Sequence, residues 1–214
     1  VSPFSWAESF DLTALLFGIG SLVTAVQWMR QWSPFWDSDV TPGDRQLAER
    51  VAFFLLVPLG VGFHELGHAI AVWWAGGQVV DFQWRVFWGY VTSTGNYSPF
   101  DRWWIALSGN LASLLIGGLP LLLFPLIRRQ ILGEILVFFA RYQLIVTLII
   151  YPLFSFAAPG FEGDWVEIYD FRVRPYAFVM LGIHIVFLFG LRRLDRNEWL
   201  DRWRQQFVAN GPQK

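Results

Sequence analysis

The chain has 214 residues, enough for one domain, yet 55% of them are hydrophobic and only 15% are charged, against roughly 45–50% and about 25% in soluble domains. That balance excludes an ordinary soluble globule and points to a lipid bilayer as solvent. The net charge of −1, with arginines scattered at the ends of apolar runs, excludes nucleic acid as a partner, and the absence of cysteine excludes disulfides, thiolate metal sites and a cysteine nucleophile.

Residues 1–11 carry Glu8 and Asp11 but no Lys or Arg, so the basic start of a secretory signal is missing. A helix that crosses a bilayer needs about 20 mostly apolar residues. Five segments meet or approach this: 12–29, 51–75, 103–127, 131–157 and 176–191. The fourth contains Arg141 and is expected to bend or end near Pro152. Residues 33–50 read as a polar linker. Residues 78–94 mix Val, Phe, Trp and Tyr with polar residues beside Gly76, Gly77, Gly89 and Gly95, which predicts short strands and a hairpin capping the bundle. After the fifth segment, Arg192, Arg193, Arg196, Arg202 and Arg204 alternate with Leu194, Trp199, Leu200, Trp203 and Phe207, the pattern of a helix lying on a membrane surface.

The expected architecture is therefore an all-α polytopic membrane bundle of about five transmembrane helices, with a small β element between the second and third and a C-terminal amphipathic helix. It forms a single domain over 1–191 with its core at 51–165, followed by an interfacial tail, 192–214. Most of the 13 tryptophans are explained as anchors at the lipid headgroups, among them Trp28, Trp32, Trp36, Trp103, Trp104, Trp199 and Trp203. The lipid bilayer is thus one partner, and the cell membrane is the expected location. Counting basic residues on alternate sides puts Arg30, Arg45, Arg50, Arg128, Arg129, the tail arginines and Lys214 together on the inner side, with the N-terminus outside.

The chemistry is carried by His64-Glu65-Leu66-Gly67-His68 in the second segment. On a helix, His at i and i+4 project from one face a turn apart, so both can offer an imidazole nitrogen to one tetrahedral zinc. Glu65 stands beside them, outside the ligand set but placed to take a proton from a water that zinc has acidified from a pKa of about 15.7 to about 7. With only three His in the chain, the pattern arises by chance on the order of once in a thousand such sequences. Ionisable groups inside a membrane helix each cost at least about 2.5–3.5 kcal/mol and are there for function.

With this motif the chain resembles the site-2 protease family of intramembrane zinc metalloproteases. Phe63 to Ala69, the strand-like residues 77–90 and the stretch from Ala106 to Leu115 carry the resemblance, over roughly residues 51–165. It implies cleavage of a peptide bond in or near a transmembrane segment of a membrane-protein substrate, Zn2+ as cofactor, and two His and one Asp as ligands. Asn110 and Ser113 stand where the family has a Gly-Pro-x-x-Asn helix, on one helix face, and are the expected substrate-binding residues. The family's Asp, usually in Leu-Asp-Gly after a proline-containing stretch, corresponds to Asp164 in Gly163-Asp164-Trp165, which makes Asp164 the expected third ligand. Glu162, Glu167 and Asp170 are neighbouring carboxylates open to the same role. The strands offer an edge to which an extended substrate segment can be added.

Two other functions fit parts of the pattern. A non-catalytic subunit of the same fold within a larger membrane complex accounts for the small size and the altered second motif, but leaves Glu65 without a use. A transporter with a proton relay does not require the His spacing, and the internal repeat often found in transporters is absent. His184, the remaining histidine, reads as a packing residue, and Glu134 with Arg141 reads as an intrahelical pair on one face.

Overall fold

The computed structural model describes residues 6–157, 163–196, 200, 201 and 203–205. In chain order the helices are α1 (Trp6–Arg30), α2 (Trp32–Phe35), α3 (Pro42–Val51), α4 (Val57–Trp74), α5 (Pro99–Leu123), α6 (Gln130–Ile145), α7 (Tyr151–Ala157), α8 (Asp164–Ile168) and α9 (Arg174–Arg196), with strands β1 (Gln78–Trp84) and β2 (Gly89–Thr94) between α4 and α5. Five spans among the described residues are long and apolar enough to cross a membrane. Their outward faces stay apolar, as Leu15, Leu22, Leu115, Leu122 and Phe189 show, which suits contact with lipid.

The stretch expected to be a polar linker is helical from Pro42 onward. Thr41 and Asp44 form a capping box, the Thr41 hydroxyl accepting from Asp44 N–H at 3.2 Å and the Asp44 carboxylate accepting from Thr41 N–H at 2.9 Å, with Pro42 at the first helical position. The same device, Ser98, Pro99 and Asp101, starts α5 four residues ahead of the expected segment. Through α3 and a π turn the second span reaches 33 residues, Pro42–Trp74.

Two prolines shape the helices around the site. Pro58 follows the π turn Ala52–Leu56, and Pro152 follows the π turn Val146–Ile150. A proline inside a helix supplies no N–H and crowds the carbonyl four residues earlier, and the wider π turn relieves that crowding. Both of those carbonyls are taken by side chains from other helices: Phe54 O accepts from Ser21 Oγ of α1 at 2.7 Å, and Leu148 O accepts from His184 Nε2 of α9 at 2.8 Å. His184 Nδ1 then accepts from Tyr169 OH at 2.5 Å, and its ring lies 4.5 Å from that of Trp165. His184 is thus a fully bonded packing residue that fastens α9 to the bundle. His184→Leu removes the donor to the buried Leu148 O, worth about 1–3 kcal/mol when left unpaired, and the acceptor for the half-buried Tyr169 hydroxyl. A lowered midpoint of denaturant unfolding in detergent is the expected result; an unchanged midpoint means that Leu148 O has another donor.

The two strands pair antiparallel, Trp84 opposite Gly89 and Gln83 opposite Tyr90, with a bulge at Val79/Asp81. The hairpin does not cap the bundle but runs back along α4. Trp84 donates its indole N–H to Pro58 O at 2.9 Å, a level about 25 Å along the helix from its C-terminal end. At the tip, Phe87 N–H bonds back to Arg85 O across Val86, whose φ is +66°. This is a strained γ-turn for a β-branched residue, and it is held by Phe87, whose ring lies 4.6 Å from Phe17 and 5.6 Å from Phe53. Apolar residues at the tip explain why the hairpin follows the helix and not the water. Along the hairpin, Asp81 accepts from Gln83 Nε2 and Tyr90 OH, which hold its carboxyl below the usual range.

At the far end of the bundle, Phe35, Leu47, Val51, Ile131, Ile135 and Phe139 form one apolar cluster. Beside it Glu134, with 0% exposure, accepts two hydrogen bonds from Arg204, both at 2.7 Å, and lies 3.7 Å from Arg45. Glu134 therefore takes its fork from the tail and not from Arg141, and the pairing raises the Arg204 pKa. Trp203 sits on Phe124, ring centres 4.5 Å apart. The side chains of Leu194, Arg196, Trp199, Arg202 and Phe207, on which the surface-helix pattern partly rested, lie outside the described residues.

Candidate metal centre

A second apolar cluster brings the last piece of the site into place. Trp165 and Ile168 of α8 are buried against Trp103, Ala106 and Leu107 of α5, and Trp103 Nε1 donates to Ile168 O at 3.1 Å. This docking sets Asp164, the first residue of α8, against the His motif on α4.

His64 Nε2, His68 Nε2 and Asp164 Oδ2 converge: 3.0 Å between the imidazole nitrogens, 3.0 Å from His64 to Asp164 and 3.1 Å from His68 to Asp164. These three are the one group of His, Cys, Asp and Glu among the described residues arranged to hold a metal. The outer nitrogens bear on the tautomers. His68 Nδ1 lies 2.7 Å from Ile105 O, and a carbonyl only accepts, so Nδ1 carries the proton and the neutral ring turns the Nε2 lone pair inward. His64 Nδ1 lies 3.0 Å from Ser113 Oγ, a hydroxyl able to accept from Nδ1–H, and in that tautomer the His64 Nε2 lone pair also turns inward. With both rings in that tautomer, two imidazole nitrogens and a carboxylate oxygen would offer their lone pairs to one point, the arrangement that a cation stabilises. Ligand atoms of a tetrahedral zinc, each about 2.0–2.1 Å from the metal, stand about 3.3 Å apart. The observed spacing and the two-imidazole, one-carboxylate donor set fit that ion.

Glu65 does not join the three. Its side chain, 5% exposed, lies on the hairpin side of α4, where a Cβ on Gly89 would stand 2.7 Å from Glu65 Cγ and 2.7 Å from Gln83 O. Glycine at position 89 lets the β2 backbone press directly on the acid. Gly109 does the same for the ligand shell, since a side chain there would overlap the His68 ring.

Asn110 and Ser113, expected to meet substrate, are 1% and 3% exposed and lie behind the ligands. Asn110 Nδ2 donates to Asp164 Oδ2 at 3.1 Å and to Ala106 O at 3.2 Å, while its Oδ1 is buried without a protein partner. Of the rival carboxylates, Asp170 and Glu167 face Arg172, at 2.5 and 3.9 Å, and Glu162 lies outside the described residues. Tyr151 was not singled out by any motif. Its hydroxyl accepts from Asp164 N–H at 3.2 Å, and its ring meets His64 edge-on, centres 5.5 Å apart at 79°. The only sequence signal for it is its place directly before Pro152.

Five spans able to cross a membrane, with a His-His-carboxylate cluster assembled around an H-E-x-x-H helix, define a polytopic membrane protein with one candidate metal centre among the described residues. The chain belongs to the Peptidase M50B-like family, whose model matches residues 49–160, just over half of its length, in agreement with the resemblance to site-2 proteases. No curated protein and no solved structure matches it.

Proposed function

We propose that this chain is an active zinc peptidase of the cell membrane that hydrolyses a peptide bond in or beside a transmembrane segment of another protein. The observation that carries the reading is the convergence of His64, His68 and Asp164 next to a buried acid, Glu65, that belongs to no ion pair among the described residues. His64, His68 and Asp164 would hold the ion. When bound, zinc supplies Lewis acidity and makes water ionisable near neutral pH. Glu65 takes the proton of the attacking water on a carboxylate oxygen and passes it to the leaving amine. Ser113 and Asn110 keep His64 and Asp164 oriented, which is the part we assign to them in place of direct substrate contact.

A transmembrane helix hides its carbonyls in its own hydrogen bonds, so the substrate must be extended locally before attack. The hairpin lies against Glu65 and is a two-stranded sheet among the described residues, so an extended substrate segment can add to an outer strand edge. The test is cleavage of a membrane-spanning model substrate by the protein reconstituted in liposomes. Cleavage that stops with a zinc chelator and returns with added Zn2+ is expected. Absence of cleavage from zinc-loaded protein would move the assignment to a non-catalytic subunit of a membrane complex.

A further inference from the structure

Asp164 is a hundred residues from His64 in sequence and sits at the start of a five-residue helix. Such a short helix is a weak anchor, because most helical stability comes from packing and propagation over several turns. Trp165 and Ile168 dock α8 on α5 but do not orient the carboxylate itself. On one side of the carboxylate Asn110 donates to Oδ2. On the other stands Tyr151, from a different transmembrane span.

Tyr151 is aimed there by its own helix. Its N–H bonds to Val146 O, five residues back, in the π turn that precedes Pro152. That turn carries Gln143, Thr147, Tyr151 and Ser155 along one face, of which Gln143, Thr147 and Ser155 are buried. The Tyr151 hydroxyl accepts the Asp164 backbone N–H, and the Asp164 carboxylate is an acceptor beside it for its one proton. The same ring closes edge-on over His64. A single side chain thus touches two of the three converging residues and ties the start of α8 to the helix that carries the His motif.

Building on the zinc reading above, we propose that Tyr151 is a positioning residue for the metal: through its hydroxyl it fixes Asp164, and through its ring it fixes His64, at ligand spacing. Partners of metal ligands typically contribute 10–100-fold to metal affinity. Tyr151→Phe keeps the ring and deletes the hydroxyl, so it separates the two contacts.

The experiment measures Zn2+ affinity by competition with a chromophoric chelator, and the visible spectrum of the Co2+-loaded protein, for wild type, Tyr151→Phe and Ser155→Ala. Ser155 lies one turn further along the same face and, among the described residues, bonds to Tyr151 O. The expected result is about 10-fold weaker zinc binding in Tyr151→Phe, shifted Co2+ bands and faster amide exchange at Asp164, in a protein that still unfolds cooperatively, with a wild-type-like Ser155→Ala. Zinc affinity and Co2+ bands equal to wild type in a folded Tyr151→Phe overturn the role of Tyr151 while leaving the metal site intact. A wild-type protein that takes up neither ion overturns the zinc reading and Tyr151 with it. Where Tyr151→Phe folds poorly, exchange at the Asp164 amide of the folded fraction decides: protection equal to wild type counts against the proposal.

Discussion

Glu65→Gln is expected to lower peptide hydrolysis by about 10²–10⁴-fold, the range over which a positioned general base acts, while the protein keeps its zinc. The substitution preserves shape and removes only the ability to accept a proton. Glu65 is absent from the converging set, so its loss leaves the ligands untouched. It is also 5% exposed and packed under Gly89, where a neutral amide costs less to bury than a carboxylate, so the unfolding midpoint should be no lower than that of wild type. Retained hydrolysis with retained zinc would remove Glu65 from the mechanism and transfer the base to another group.

Asp164→Asn is expected to have the opposite signature, loss of the metal first and of activity as a consequence. The amide removes the one anionic ligand and leaves two neutral imidazoles, so zinc affinity should fall by more than the roughly 10–100-fold that an outer-shell change costs. Glu167→Gln and Asp170→Asn serve as controls, because both carboxylates face Arg172 and not the histidines. Zinc measured by elemental analysis after dialysis against a weak chelator separates the three. Zinc lost from one of the controls but held by Asp164→Asn would mean that the α8 carboxylate is misassigned.

The parts of this protein that were legible in its sequence are those governed by local periodicity. The five apolar runs, the strand-like residues 78–94 and the His pair at i and i+4 all follow from spacing along one element, and each run lies within a helical span of the structure or within a few residues of one, although the second and fifth spans begin earlier, at Pro42 and Asp164. The helical start at Pro42 was legible too, in the Thr41–Asp44 capping box, but the polarity of the following turn obscured it. What depended on tertiary packing was harder to read. Asp164 could be named only by resemblance and beside three neighbouring carboxylates, since nothing local distinguishes it from them; burial of Trp165 and Ile168 against α5 does. That Asn110 and Ser113 share a helix face is legible in the sequence; that this face is turned to Asp164 and His64 depends on packing. Glu134 looked paired within its own helix, whereas its fork comes from Arg204, 70 residues on.

The central claim is that His64, His68 and Asp164 form a zinc site, and the most direct test is the zinc content of wild-type protein purified in detergent without added metal. About one zinc per chain, reduced in His64→Ala and Asp164→Asn, is the predicted result; a folded protein that carries no zinc and takes none up at micromolar Zn2+ would contradict it.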